Sequence, residues 1–144
     1  MSSVQQHSSP IETGTPVWRA AARSLLPVCL AVLVGCTEDE SLSECTGPVT
    51  ISVSTGTTPL FGWTPACRVS DLVVQEAGIA ADVWEIVTDG TNQIDPGVRY
   101  GIVPPGVREQ EDPETLLVGV TYNVAVGRWT GSGLEVIGVR SFTP

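Results

Sequence analysis

The chain has no lysine, one histidine and one methionine, and only 16% of its 144 residues are charged. These shortages exclude a good deal. Without lysine there is no Schiff-base or Ser-Lys chemistry, and the single imidazole, His7, stands far upstream in a polar leader. Ser-His-Asp and Cys-His systems need an imidazole as base, so the remainder of the chain cannot build one. Seven Arg against 16 Asp and Glu, a net charge of -9, exclude a nucleic-acid surface, because phosphate binding needs clustered cations. No Gly-x-Gly-x-x-Gly loop is present to cradle a phosphate, and no cofactor is implied. Long apolar runs are missing too. The longest, within residues 24–35, is about eleven residues, against the roughly 20 that a helix needs to cross a bilayer. No stretch repeats at a solenoid or propeller period.

What is present is turn chemistry and alternation. Fifteen Gly and 11 Pro in 144 residues point to many turns rather than long helices. From Pro48 onward apolar residues recur at every second position, the period of a strand with one face buried. "VTISVS" sets Val49, Ile51 and Val53 on one face. "TPLFGWTP" does the same with Phe61 and Trp63 and is ended by Pro65. "RVSDLVVQEA" turns Leu72 and Val74 inward, leaving Asp71, Val73 and Gln75 on the other face. "DVWEIVTDG" offers Trp84 and Ile86 before an Asp89-Gly90 turn, and "VRYGIVPPG" offers Val98, Tyr100 and Ile102. "LLVGVTYNVAVGRW" puts Tyr122, Val124 and Val126 in register, and "LEVIGVRSFTP" closes the chain with Phe142 on the alternative face. Seven strand segments with turns about every ten residues predict an all-β, antiparallel seven-strand sandwich over residues 48–144.

The apolar run near the start follows Arg19 and Arg23, with no acid after Glu12, and has the arrangement of a secretory signal. It ends in Leu33-Val34-Gly35-Cys36, which resembles the lipobox of bacterial lipoproteins. The resemblance implies that residues 1–35 are a signal peptide and that Cys36 becomes the mature amino terminus. Its thiol then carries diacylglycerol and its amine an acyl group such as palmitate. It further implies an anchored protein of the bacterial envelope, with the bilayer as partner. Thr37 after the Cys matches the pattern that enteric bacteria sort to the outer membrane. The polar leader from Met1 to Pro16 is long for such a signal, so Val17 is an alternative start. The polar, acidic residues 36–47 are expected to form a short flexible tether.

Of four Cys, Cys29 leaves with the signal and Cys36 is lipidated, which leaves Cys45 and Cys67 as a pair. In an exported domain an even remainder implies a disulfide. Pro59, Trp63, Leu72-x-Val74, Leu117-x-Gly119-x-Thr121-Tyr122 and Phe142 are together similar to fibronectin type III and related immunoglobulin-like modules. The resemblance implies that Trp63 packs in the core and that the Tyr122 hydroxyl bonds backbone a few residues upstream. Val120 before Thr121, and a third strand without an aromatic, depart from the pattern.

Few residues are left to carry chemistry, and no catalytic residue is assigned. Trp129, next to Arg128 and before Thr130-Gly131-Ser132-Gly133, is a candidate platform for a glycan or small ligand, or an edge residue covering the core. "DGTNQID" spaces Asp89, Asn92 and Asp95 as oxygen ligands for calcium, although the same residues make ordinary turns. "REQEDPE" gathers Glu109, Glu111, Asp112 and Glu114; such carboxylates serve glycoside hydrolysis only when a cleft holds them, and a Pro-flanked loop predicts solvated acids. Arg99, Arg108, Arg128 and Arg140 are expected to pair with acids across strands. Beyond Cys36, 15 acids face 5 Arg, a net of -10. The expected protein is a non-catalytic interaction or structural module of the envelope, with an envelope protein or glycan as partner.

Overall fold

The computed structural model describes residues 41–79 and 81–144; the signal segment, Cys36 and the first part of the tether lie outside the described residues. All described residues belong to one compact unit. They contain no helix and eight strands: β1 (Thr50–Val53), β2 (Leu60–Thr64), β3 (Asp71–Glu76), β4 (Asp82–Val87), β5 (Val98–Arg99), β6 (Arg108–Glu111), β7 (Tyr122–Trp129) and β8 (Leu134–Phe142). The strands form two antiparallel sheets, ordered β1-β2-β5 and β6-β4-β3-β7-β8, in a sandwich-like arrangement.

Alternation decides which face is buried. Ile51, Phe61, Trp63 and Val98 of the small sheet meet Leu72, Val74, Trp84, Ile86, Tyr122, Val124 and Val126 of the large one, all nearly or wholly inaccessible. Phe142 packs edge-on against Phe61 and also touches Tyr122, so the last strand seals the end of the core. The Leu117 backbone N–H donates to the Tyr122 hydroxyl at 3.0 Å, five residues upstream, as the sequence leads one to expect. Gly119, at φ +84°, makes the turn between them, in a backbone region that L side chains rarely enter.

The sheets also touch along one side. Val49 N–H donates to the Ile137 carbonyl at 2.9 Å, and Arg140 donates to the Ile51 carbonyl at 3.2 Å. Gly138 permits this approach, because a Cβ there would stand 2.8 Å from Val49 Cγ2 and 3.0 Å from the Val49 carbonyl oxygen. The otherwise open β8 edge is thereby covered along part of its length.

The disulfide joins Cys45 and Cys67 and lies buried. It fixes the segment before β1 to the turn after β2, where Trp63 also donates its indole N–H to the Cys67 carbonyl at 2.7 Å.

Three expectations need correction. The strand count is eight, because Arg108–Glu111, taken from its composition for a solvated loop, pairs with β4 as β6. Glu109 is half-buried there and accepts the Trp84 indole N–H at 2.9 Å, while Glu111, Asp112 and Glu114 are exposed. Ordered pairing begins before Pro48: Cys45 N–H donates to the Arg68 carbonyl at 2.9 Å and Arg68 N–H to the Ser43 carbonyl at 2.8 Å. The tether is therefore fastened from Ser43 on. Ile102 is 58% exposed rather than inward, since the chain leaves β5 after Arg99 and turns, with Ile102 N–H bonded to the Arg99 carbonyl.

Candidate functional site

Trp129 ends β7 and stands 38% exposed between two concavities. The wider, about 540 Å³, lies at one end of the sandwich, between Glu44–Thr46, Gly90–Asn92 and Arg128–Gly131. The narrower, about 250 Å³, opens on the outer face of the large sheet over Asp71, Glu85 and Val87, with Arg108 and Gln110 on one side and Leu134 on the other. Trp129 and the 105–115 segment thus share one concave surface.

The tryptophan is held by its backbone. Its N–H donates to Asn92 Oδ1 at 2.8 Å and its carbonyl accepts from Asn92 Nδ2 at 3.1 Å. Asn92 is buried, and its Nδ2 also reaches Glu44 Oε2 at 3.2 Å. Ile94, fully buried and paired with Val69 in both directions at 2.9 Å, pins the loop that carries Asn92. The indole lies over Gly90, whose Cβ position is 3.8 Å from Trp129 Cε2 and Nε1. Its face is placed without help from any ligand.

Arg128, the neighbour singled out with it, is committed to the protein. Its guanidinium pairs with Glu135 at 2.7 Å across β7 and β8, the expected cross-strand pair, and donates to the Cys45 carbonyl at 3.2 Å. Arg108 bridges Asp89 at 3.4 Å and Gln110 at 2.6 Å. Arg99 and Arg140 bond backbone carbonyls, of Thr58 and Ile51, rather than acids.

The three calcium candidates are not brought together. Asn92 lines the wide concavity with its amide engaged on Trp129, Asp89 lines the narrow one beside Arg108, and exposed Asp95 lines a third with Pro96 and Pro104. Among the described residues no three His, Cys, Asp or Glu side chains are placed to hold a metal ion.

The residue that sequence reasoning passed over is Asp71. It opens β3, opposite Val87 on one side and Gly127 on the other, on the face expected to be wet. It is only 5% exposed, and its Oδ1 is buried with no hydrogen-bond partner. The cause lies in distant residues. Gly127 has no side chain, and the Leu134 side chain of β8 occupies that space: a Cβ on Gly127 would stand 2.9 Å from Leu134 Cδ1 and 3.4 Å from Asp71 Cβ. Removed from water, and with Glu85 and Asp82 nearby, the Asp71 carboxyl is pushed up to about 7. Glu85 is raised as well, by burial first and then by Asp82, with Arg108 opposing. A charged residue opening a strand, eleven residues before the first of two more acids in "DVWE", was the only trace in the sequence.

The chain matches no protein-family model, no curated protein and no solved structure.

Proposed function

We propose that this protein is a lipid-anchored, non-catalytic module of a bacterial cell envelope, a fibronectin type III-like or immunoglobulin-like sandwich that presents its loops to an envelope partner. The observation that carries the reading is Leu33-Val34-Gly35-Cys36, placed at the end of an apolar run too short to span a bilayer and ahead of a polar, acidic segment. The Cys45–Cys67 disulfide supports it, since such bonds persist in exported proteins and are rare in the reducing cytosol. The Tyr122–Leu117 bond supports the type of sandwich. Metabolic labelling with an alkyne fatty acid tests the anchor. The full chain should incorporate label and lose residues 1–35, whereas Cys36→Ala should stay unlabelled and uncut. An uncut leader with an unmodified Cys36 would end this reading.

A second reading, a glycan- or small-ligand-binding module, is favoured by one observation: Trp129 is exposed, held in place and shared by two concavities. Binding to a glycan array that is lost in Trp129→Ala supports it; equal binding by both proteins, or none by either, rejects it.

A further inference from the structure

We infer that the narrow concavity between Asp71 and Trp129 is a site for an organic cation, an ammonium or guanidinium group on a short apolar stem. The inference rests on the second reading above and names its ligand.

Two independent features converge on it. The first is a carboxylate whose Oδ1 is buried without a partner and whose side chain lines the concavity. Buried polar atoms nearly always have partners, so a carboxyl on a cavity wall that leaves one oxygen unpartnered is a group that a donor in the cavity can satisfy by turning it outward. The second is the indole of Trp129 on the wall, the best of the aromatic faces for a cation.

The charge balance selects the sign of the ligand. Glu85, on β4, lines the concavity with Asp71, and Asp82 lies close enough to disfavour ionisation of both. β7 and β8 face Asp71 with Gly127 and Leu134, which carry no charge. On β6 the nearest cation, Arg108, is bonded to Asp89 and Gln110. Arg108 also lines the concavity and partly offsets Glu85, so within the carboxyl pair it is Asp71 that has no cation acting on it. An anion entering here would meet both; a cation would relieve both. Size selects the form. At about 250 Å³ the concavity falls below the roughly 300–1,000 Å³ of sites for drug-sized ligands, and it suits a single chain with a charged tip. Val87 and Leu134 supply apolar walls for the stem.

Such a group is carried by a free alkylamine or by the lysine or arginine of a partner chain, and calorimetry on the full chain with two probes tells them apart. The probes are n-butylammonium and the peptide Ac-Gly-Lys-Gly-NH2, with neutral n-butanol and methyl glucoside as controls. Saturable binding of at least one cationic probe is expected, and the tighter probe identifies the source. Because ionised Asp71 binds the cation and its carboxyl titrates at about 7, affinity should rise about tenfold from pH 6 to pH 8. Asp71→Asn should remove that rise and weaken binding at pH 8 at least tenfold. Glu85→Gln, a change at a more accessible site, should weaken binding several-fold, and Trp129→Ala about threefold to tenfold. Cation binding that persists unchanged in Asp71→Asn and Glu85→Gln would overturn the site. Binding of methyl glucoside with none of either cation would overturn the cation and leave the ligand reading of Trp129 standing. Absence of all binding would remove both.

Discussion

Asp71 is the residue at which the fold itself can be tested. Its carboxyl titrates at about 7 in the folded protein against an ordinary value of 3.8, so between those limits the folded chain holds a proton that the unfolded chain has lost. Stability contributed by the neutral carboxyl is fully present below pH 4 and is lost as pH rises toward 7. Each unit corresponds to about 1.4 kcal/mol, and the whole window to at most about 4 kcal/mol. Asp71→Asn keeps the shape and has no proton to lose, so its stability should be flat across the window where the parent declines. Urea titrations at half-unit steps from pH 4 to 8 should find the two proteins within about 1 kcal/mol at pH 4 and Asp71→Asn ahead by about 2–4 kcal/mol at pH 8. For a domain of this size that difference is a melting temperature higher by on the order of 10 °C or more. Glu85→Gln removes one repelling charge and so should bring the upper limit of the parent's decline to lower pH, narrowing the window without abolishing it. Parallel profiles for the parent and Asp71→Asn would refute the claim that Leu134 and Gly127 remove this carboxyl from water.

Other consequences are simpler. Cys45→Ser with Cys67→Ser opens a loop of 22 residues and should lower unfolding free energy by about 3 kcal/mol, and reductant should do the same to the parent. Gly138→Ala places a methyl 2.8 Å from Val49 Cγ2 and 3.0 Å from backbone oxygen and should cost about 1–3 kcal/mol in urea unfolding. Gly62→Ala should cost less, since the atom it meets at 2.9 Å, Ser52 Oγ, can rotate away. Asn92→Ala leaves the Trp129 N–H and C=O without their partner and should cost about 1–3 kcal/mol, with faster hydrogen exchange at the Trp129 amide.

The inner faces were open to reading because burial there obeys one rule, a period of two. Phe61 with Trp63, Leu72 with Val74, and Tyr122 with Val124 and Val126 follow it, and all are buried. The rule says nothing where both faces are wet. "REQE" carries no apolar alternation because β6 is an edge strand whose side chains are exposed except for half-buried Glu109, and its pairing to β4 passes through a register shift at Glu85/Ile86. Composition alone made it a loop. Asp71 failed for a different reason. Its residue type and its place on the outer face both say exposed, and only the absence of a side chain at Gly127 together with the reach of Leu134 reverses that. Those positions lie more than 50 residues away in the chain, and no local pattern encodes them. Trp129 was noticed for its own bulk and flexible neighbours; the device that holds it, Asn92, resembled a metal ligand because a side-chain amide that braces a loop and one that binds calcium present the same oxygen.

The point at which the chain enters the domain bears on what reaches Trp129. Glu44, Cys45 and Thr46 line the wide concavity, and the Cys45 carbonyl is bonded to Arg128, so the polypeptide arrives beside the candidate site rather than at the opposite end of the sandwich. Eight residues separate Cys36 from Glu44 in sequence. Fully extended they reach at most about 28 Å. If Cys36 carries the anchor, the Trp129 end lies within that distance of the bilayer surface, and its ligand must be one that is accessible near headgroups. A domain rich in acids is repelled from anionic lipid, whereas the same surface concentrates cations within about a Debye length, near 10 Å at ordinary salt. The carboxyl pair of Asp71 and Glu85 beside Trp129 then stands near a layer in which cations are enriched. An anchor at Cys36 would therefore hold the Trp129 end, where the narrow concavity opens, within reach of that layer.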